Sequence, residues 1–250
     1  MQCPVLVLSG VGLTAAVAHR AIVALGSAFS VIQPVGVPTP EDAIRSLDAA
    51  GAEQAHVVGV SFGASVAQEI AIRRPDRVSA LVLGSSTAGG ELYAPPEPVV
   101  RGFVRRLDEL PAEEGLWASV PYLYAASTYH RHAPRIGEDI AQRLHEPPDP
   151  HAYGRQLAIA RAHDTSARLS EIAAPTLVIH GKDDRLLPLE NGRRLAQAIA
   201  GARFMPLNGA AHAFATDVPE ANQELVNFLL EHPPRRPGSP APRTGRATRA

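Results

Sequence analysis

Gly59-Val60-Ser61-Phe62-Gly63 is a G-x-S-x-G, and its setting gives it weight. Alone the pattern is a weak signal, because glycine and serine are frequent in this chain. Here it directly follows the apolar run 56–60 and opens a segment of helical spacing at 64–74. A serine at such a junction is held in a tight strand-to-helix turn with its hydroxyl exposed. Glycines two residues to either side let the backbones of strand and helix approach closely. The helix N-terminus adds N–H donors and positive potential suited to an oxyanion. The chemistry would be nucleophilic attack on an acyl carbon.

A serine hydroxyl needs a base to take its proton, and the base needs an acid to orient it. Among ten histidines His212 stands out: Gly209-Ala210-Ala211-His212 follows an apolar run on a small, flexible loop. His56 and His180 lie in or at strand ends and read as packed. The acid candidates are Asp183 and Asp184, just beyond the run 176–180. Ser61, then this acid, then His212 gives the order Ser…Asp…His.

These residues need a frame. The runs 5–9, 29–33, 56–60, 80–84, 176–180 and 203–207 are rich in Val, Ile and Leu and mostly apolar on both faces. That is the pattern of parallel strands covered by helices on both sides. Between them, 15–25, 40–50, 64–74, 189–200 and 220–231 have helical spacing; Thr39-Pro40-Glu41 is a good helix start and Pro75 ends the third helix. The alternation predicts an α/β fold with a doubly wound, mostly parallel sheet.

It breaks once. From 87 to 174 there is no convincing strand, only helical stretches at 102–110, 113–120, 137–144 and 153–163, separated by prolines. This segment reads as a helical cap inserted into a core of 1–86 and 175–232. Its aromatics include Trp117, Tyr122, Tyr124 and Tyr129. They are expected either to form the small core of the cap or to line an apolar substrate pocket. Residues 233–250, rich in Pro and Arg, hold no apolar side chain larger than alanine and are expected to be disordered.

Composition bounds the rest. The 250 residues carry a formal charge of −1, so no global basic field points to nucleic acid. Residues 233–250 hold five arginines and no acid, which leaves −6 on residues 1–232. Cys3, the one cysteine, excludes an internal disulfide and a cysteine-based zinc site. No basic leader precedes an apolar segment, and no run approaches the ~18 apolar residues of a membrane span. A soluble, cytoplasmic protein is expected.

With these motifs in place, the chain resembles an α/β-hydrolase. The similar stretches are Gly59–Gly63, Arg74-Pro75-Asp76-Arg77-Val78 leading into Leu81-Val82-Leu83, and Ala174-Pro175-Thr176-Leu177-Val178-Ile179-His180-Gly181. The acid loop of that family reads G-x-x-D-x-x-x-P, which Gly181-Lys182-Asp183-Asp184-Arg185-Leu186-Leu187-Pro188 matches with Asp184 as the acid. Gly209-Ala210-Ala211-His212 resembles the histidine loop. The resemblance implies Ser61 as nucleophile, His212 as base and Asp184 as its orienting acid. It also implies an oxyanion hole from the N–H groups of Val11 and Phe62, and no metal or organic cofactor. Ser9-Gly10-Val11-Gly12 replaces the usual His-Gly, but the donor is a backbone N–H. The hairpin that usually precedes the first strand is missing, which would leave 29–33 as a bare edge. Dimerisation through that edge, or a natural start upstream of Met1, is the expected consequence.

The implied activity is hydrolysis of a carboxylic ester, lactone or thioester of a small apolar or aromatic substrate, leaning towards the enol-lactonase and ester-hydrolase branch. C–C bond hydrolysis and cofactor-free lyase chemistry use the same triad. A non-catalytic ligand-binding relative is the alternative outside enzymology.

Overall fold

The computed structural model describes residues 3–11, 19–34, 39–147 and 150–234. Six parallel strands form one sheet: β1 Val5–Leu8, β2 Val31–Ile32, β3 Ala55–Val60, β4 Val78–Gly84, β5 Thr176–Gly181 and β6 Arg203–Leu207. Their spatial order is β2-β1-β3-β4-β5-β6. The doubly wound α/β fold expected from the alternation is the fold observed.

Alternation along each strand divides the core between the two faces. Leu6, Leu8, Val57, Leu81 and Leu83 point to one face. There they meet Leu47 of α2 (Pro40–Ala49), Ala67 and Ile70 of α3 (Phe62–Arg73) and Leu195 of α9 (Leu189–Ala198). Val5, Val7, Val58, Val82, Leu177 and Ile179 point to the other. They meet Leu25 of α1 (His19–Gly26) and Leu225, Phe228 and Leu229 of α11 (Glu220–Glu231). Burying each such side chain contributes about 1.5–3 kcal/mol. The start of α2 is fixed by a reciprocal cap: Thr39 Oγ1 accepts from Asp42 N–H (3.1 Å), and Asp42 Oδ2 accepts from Thr39 N–H (3.2 Å).

From β1 the chain moves outward to β2, then returns across β1 to β3. The reversal opens a crevice at the carboxyl ends of β1 and β3, where ligands settle in folds of this kind. The loop after β1 and the turn after β3 therefore lie side by side.

Between β4 and β5 lie α4 Pro98–Arg106, α5 Ala112–Leu123, α6 Ala126–Arg131, α7 Ala133–His145 and α8 Pro150–Ala162. Among the described residues here, the one β feature is an isolated bridge between Gly89 and Asp164. Tyr124, Ile136 and Ile140 form the small apolar centre of this helical layer.

The strand expected over 29–33 is only Val31–Ile32, paired with Val5 and Leu6 of β1. Phe29 belongs to the turn that closes α1, its N–H donating to Leu25 O at 2.8 Å, and its buried ring meets His56 edge-on at 5.4 Å. So short an edge offers little ladder for a second chain. Helix α6, and α10 (Phe214–Asp217) after the histidine loop, have no counterpart in the sequence reading. Residues 15–18 of the first expected helix, the core of the loop after β2, and residues 235–250 of the tail lie outside the described residues. No helix among the described residues is long and apolar enough to cross a membrane.

Candidate active site

Ser61 stands between β3 and α3 with φ 55° and ψ −121°, a left-handed conformation that costs about 1–3 kcal/mol for a residue with a side chain. Its neighbours impose it. A Cβ on Gly59 would lie 2.5 Å from Gly63 O, and one on Gly63 would lie 2.0 Å from Leu8 O. Both glycines are therefore required for α3 to pack against β3 and β1. Ser61 N–H donates to Gly84 O at 2.8 Å, which anchors the turn to β4.

The turn brings Ser61 Oγ to 3.0 Å from His212 Nε2, and His212 Nδ1 lies 2.8 Å from Asp184 Oδ2. Both His212 and Asp184 are buried. The other oxygen of Asp184, Oδ1, accepts from Leu186 N–H and Leu187 N–H, each at 2.9 Å. Burial alone would raise the Asp184 carboxyl, but the His212 charge and hydrogen bonds from His180 and His212 outweigh it and hold it well below the usual range. Burial alone would lower His212, whereas the Asp184 charge and hydrogen bond raise it. An ionised acid thus holds the imidazole in the tautomer that presents an acceptor to Ser61. Asp183, the neighbouring acid, is exposed and takes no part.

Val11 ends the described loop after β1, and Phe62 is the first residue of α3, where an N–H has no partner within the helix. Both line the cleft beside Ser61.

Three supports escaped the sequence reading. His180, fully buried at the end of β5, donates from Nε2 to Leu187 O (2.7 Å) and lies 3.4 Å from Asp184 Oδ2, bracing the acid loop. Ser85, at φ 43°, donates from Oγ to His212 O at 3.0 Å. Asp217 accepts from Ala211 N–H (2.8 Å), Ala125 N–H (3.1 Å) and Thr128 Oγ1 (2.5 Å), so it ties the histidine loop to the cap. The partners of Asp217 in the cap lie about ninety positions away in the chain. Only an acid five residues after the histidine, Asp217, was there to be noticed in the sequence.

Two cavities meet at Ser61 and His212. The smaller, about 190 Å³, is largely apolar and runs beneath the cap past Phe103, Leu123, Tyr124 and Leu157. The larger, about 780 Å³, extends over Thr87, Gly89, Tyr93 and α4. Of Trp117, Tyr122, Tyr124 and Tyr129, only Tyr124 lines one of these cavities. Its hydroxyl donates to Asp139 Oδ2 (3.1 Å), and that carboxylate also accepts from Thr216 Oγ1 (2.7 Å). Of the two expectations for these aromatics, pocket lining fits Tyr124, and the other three do not line these two cavities. Trp117 points outward at 51% exposure, Tyr122 stacks on Phe103 at 4.4 Å beneath Arg185, and Tyr129 packs against the cap centre.

The family model described as "alpha/beta hydrolase fold" matches residues 39–217. The protein called carbamate hydrolase RutD in Azorhizobium caulinodans is 34% identical over 200 residues, covering 76% of this chain and 71% of that one. A 2-hydroxy-6-oxononadienedioate/2-hydroxy-6-oxononatrienedioate hydrolase of Cupriavidus pinatubonensis is also 34% identical, over 73% of this chain and 64% of that protein. Among solved structures, the enol-lactonase from Burkholderia xenovorans LB400 superposes with a TM-score of 0.77 at 22% identity, covering 92% of each chain. With strand order, serine turn and family match in agreement, the chain belongs to the α/β-hydrolase fold family.

Proposed function

We propose that the protein is a serine hydrolase that cleaves the carboxylic ester, lactone or thioester of a small apolar or aromatic substrate. The observation that carries this is the hydrogen-bonded chain Ser61–His212–Asp184, at 3.0 and 2.8 Å, opening onto an apolar cavity. Ser61 Oγ attacks the carbonyl carbon as His212 Nε2 takes its proton. Asp184 keeps the imidazole oriented and stabilises the imidazolium. The Val11 and Phe62 N–H groups receive the oxyanion, each contributing about 3–4 kcal/mol to the transition state. His212 then protonates the leaving oxygen or sulfur, and a water activated by the same imidazole releases the acyl group from Ser61.

A second reading has support in the relatives. One is named for a 6-oxo-dienedioate and another for a carbamate, so a C–C bond beside a ketone or a carbamate carbonyl is a competing target for the same groups. A panel of phenyl esters, thioesters, lactones, carbamates and vinylogous ketones separates them. Turnover of esters or lactones, abolished by Ser61→Ala and by His212→Ala, supports the proposal. Turnover of the ketones or carbamates alone would replace it.

A further inference from the structure

The larger cavity carries a charge pattern that the hydrolytic groups do not explain. Arg101 and Arg105 of α4 and Arg161 of α8 line it, and no Asp or Glu lines either cavity. This holds although residues 1–232 carry a net −6. None of the three guanidiniums has a carboxylate partner among the described residues; Arg106, Arg131 and Arg135 of the cap also lack one but line neither cavity, and most other arginines are paired. Arg73 and Arg168 take Glu69, Arg77 takes Asp48, and Arg185 at the rim faces Glu97. Acids close by are engaged elsewhere: Glu97 faces Arg185, Asp164 accepts from Ser166, and Asp184 lies behind His212. Arg143, in the smaller cavity, sits instead among Tyr124, Tyr153 and Asp139.

The placement also runs against helix electrostatics. Arg101 and Arg105 are four residues apart on one face of α4, where like charges repel. Arg101 stands near the helix N-terminus, where a cation is disfavoured; only Arg105, in the last turn, is helped by the helix dipole. Like charges held together in this way around an opening beside Ser61 fit an anionic ligand.

We propose that the substrate bears a carboxylate, held in the larger cavity against Arg101, Arg105 and Arg161 while its apolar part fills the smaller one. This rests on the hydrolase reading and narrows it to anionic esters, lactones or thioesters. The arginines are exposed, so they also draw anions towards the cleft, and the effect weakens with salt.

The test uses two matched pairs of phenyl esters. One pair carries a carboxylate, or its methyl ester, on the acyl chain; the other carries it on the phenol. In at least one pair the carboxylate raises kcat/KM roughly tenfold at low salt, as expected for a charge-assisted contact near the surface. That ratio falls as sodium chloride is added, and it collapses towards one in Arg101→Gln/Arg105→Gln/Arg161→Gln. Arg45→Gln, on the far helix α2, retains it. A parallel readout needs no chemistry: Ser61→Ala protein binds 4-phenylbutanoate more tightly than 4-phenylbutanamide by calorimetry, and the triple substitution removes the difference. Carboxylate-selective binding without ester turnover keeps the anion site and sinks the hydrolase reading. Ester turnover with equal rates inside both pairs, or a ratio that survives the triple substitution, overturns the anion site.

Discussion

Replacing Asp184 with asparagine tests the electrostatics of the site at a single atom. Every hydrogen bond this carboxylate makes is accepted from a donor, His212 on Oδ2 and Leu186 and Leu187 N–H on Oδ1, and His180 Nε2 stands 3.4 Å from Oδ2. An asparagine amide must turn its NH₂ towards one of these donors, so the substitution leaves a buried group unpaired at a cost of about 1–3 kcal/mol. The catalytic loss is larger. The 2.8 Å contact sets the charge centres of Asp184 and His212⁺ roughly 4 Å apart, worth about 4 kcal/mol at an effective dielectric of about 20. Imidazolium forms as Ser61 attacks, so kcat/KM should fall roughly 10³-fold on the pH plateau. The acid limb should move as well. In the native protein Asp184 raises His212, so activity is lost as pH falls through a value above the usual ~6.5. Without that charge burial dominates, and the limb drops below ~6.5. Stopped-flow or plate assays of a neutral phenyl ester between about pH 4.5 and 9 read both effects. A loss under tenfold with an unmoved limb would refute the electrostatic role of Asp184.

The serine turn gives a steric prediction: Gly63→Ala places a Cβ 2.0 Å from Leu8 O, so the variant should lose several kcal/mol of stability or fail to accumulate, read by thermal melting. Asp217→Asn should lower stability by about 2 kcal/mol by disrupting bonds to Ala125, Thr128 and Ala211, and reduce ester turnover because the histidine loop is loosened. The two acids also have opposite pH signatures. Burial raises Asp217 against the pull of its donors, so its contribution is lost as pH rises from about 4 through the raised value, and the Asn penalty shrinks over that range. Asp184 is depressed, so its contribution is present above about 4 and is lost as pH falls through the depressed value. Melting curves of both variants against the native protein across pH 3–8 show whether the penalties diverge in this way.

The sheet was legible because its strands are buried on both faces, as β4 is at every position, and continuous Val, Ile and Leu runs then have few other readings. The serine turn was legible for a local reason: the glycines that steric contact requires lie two residues to either side of Ser61. Features set by distant partners were not legible. Nothing near Phe29 says that it closes α1 through a bond to Leu25 O and sets its ring against His56, so that β2 is only two residues long. Nor does the spacing of Trp117, Tyr122, Tyr124 and Tyr129 say which one faces the cavity, since that depends on how α5 and α6 lie against α4 and α7. Asp217 and Asp139 hold cap and core together through partners 77 to 92 residues away, so their roles exist only in the folded chain. The arginines of the larger cavity were lost among many others of the same type. Their meaning comes from the carboxylates that are missing beside them.

The central claim, that Ser61 is an activated nucleophile, is tested most directly by reaction with a fluorophosphonate, followed by mass spectrometry of the intact protein and its peptides. One adduct per chain on Ser61 is predicted, formed quickly at pH 8, slowed as His212 is protonated, and absent in Ser61→Ala and His212→Ala. A folded protein that remains unmodified under these conditions, or is labelled at another residue, would contradict it.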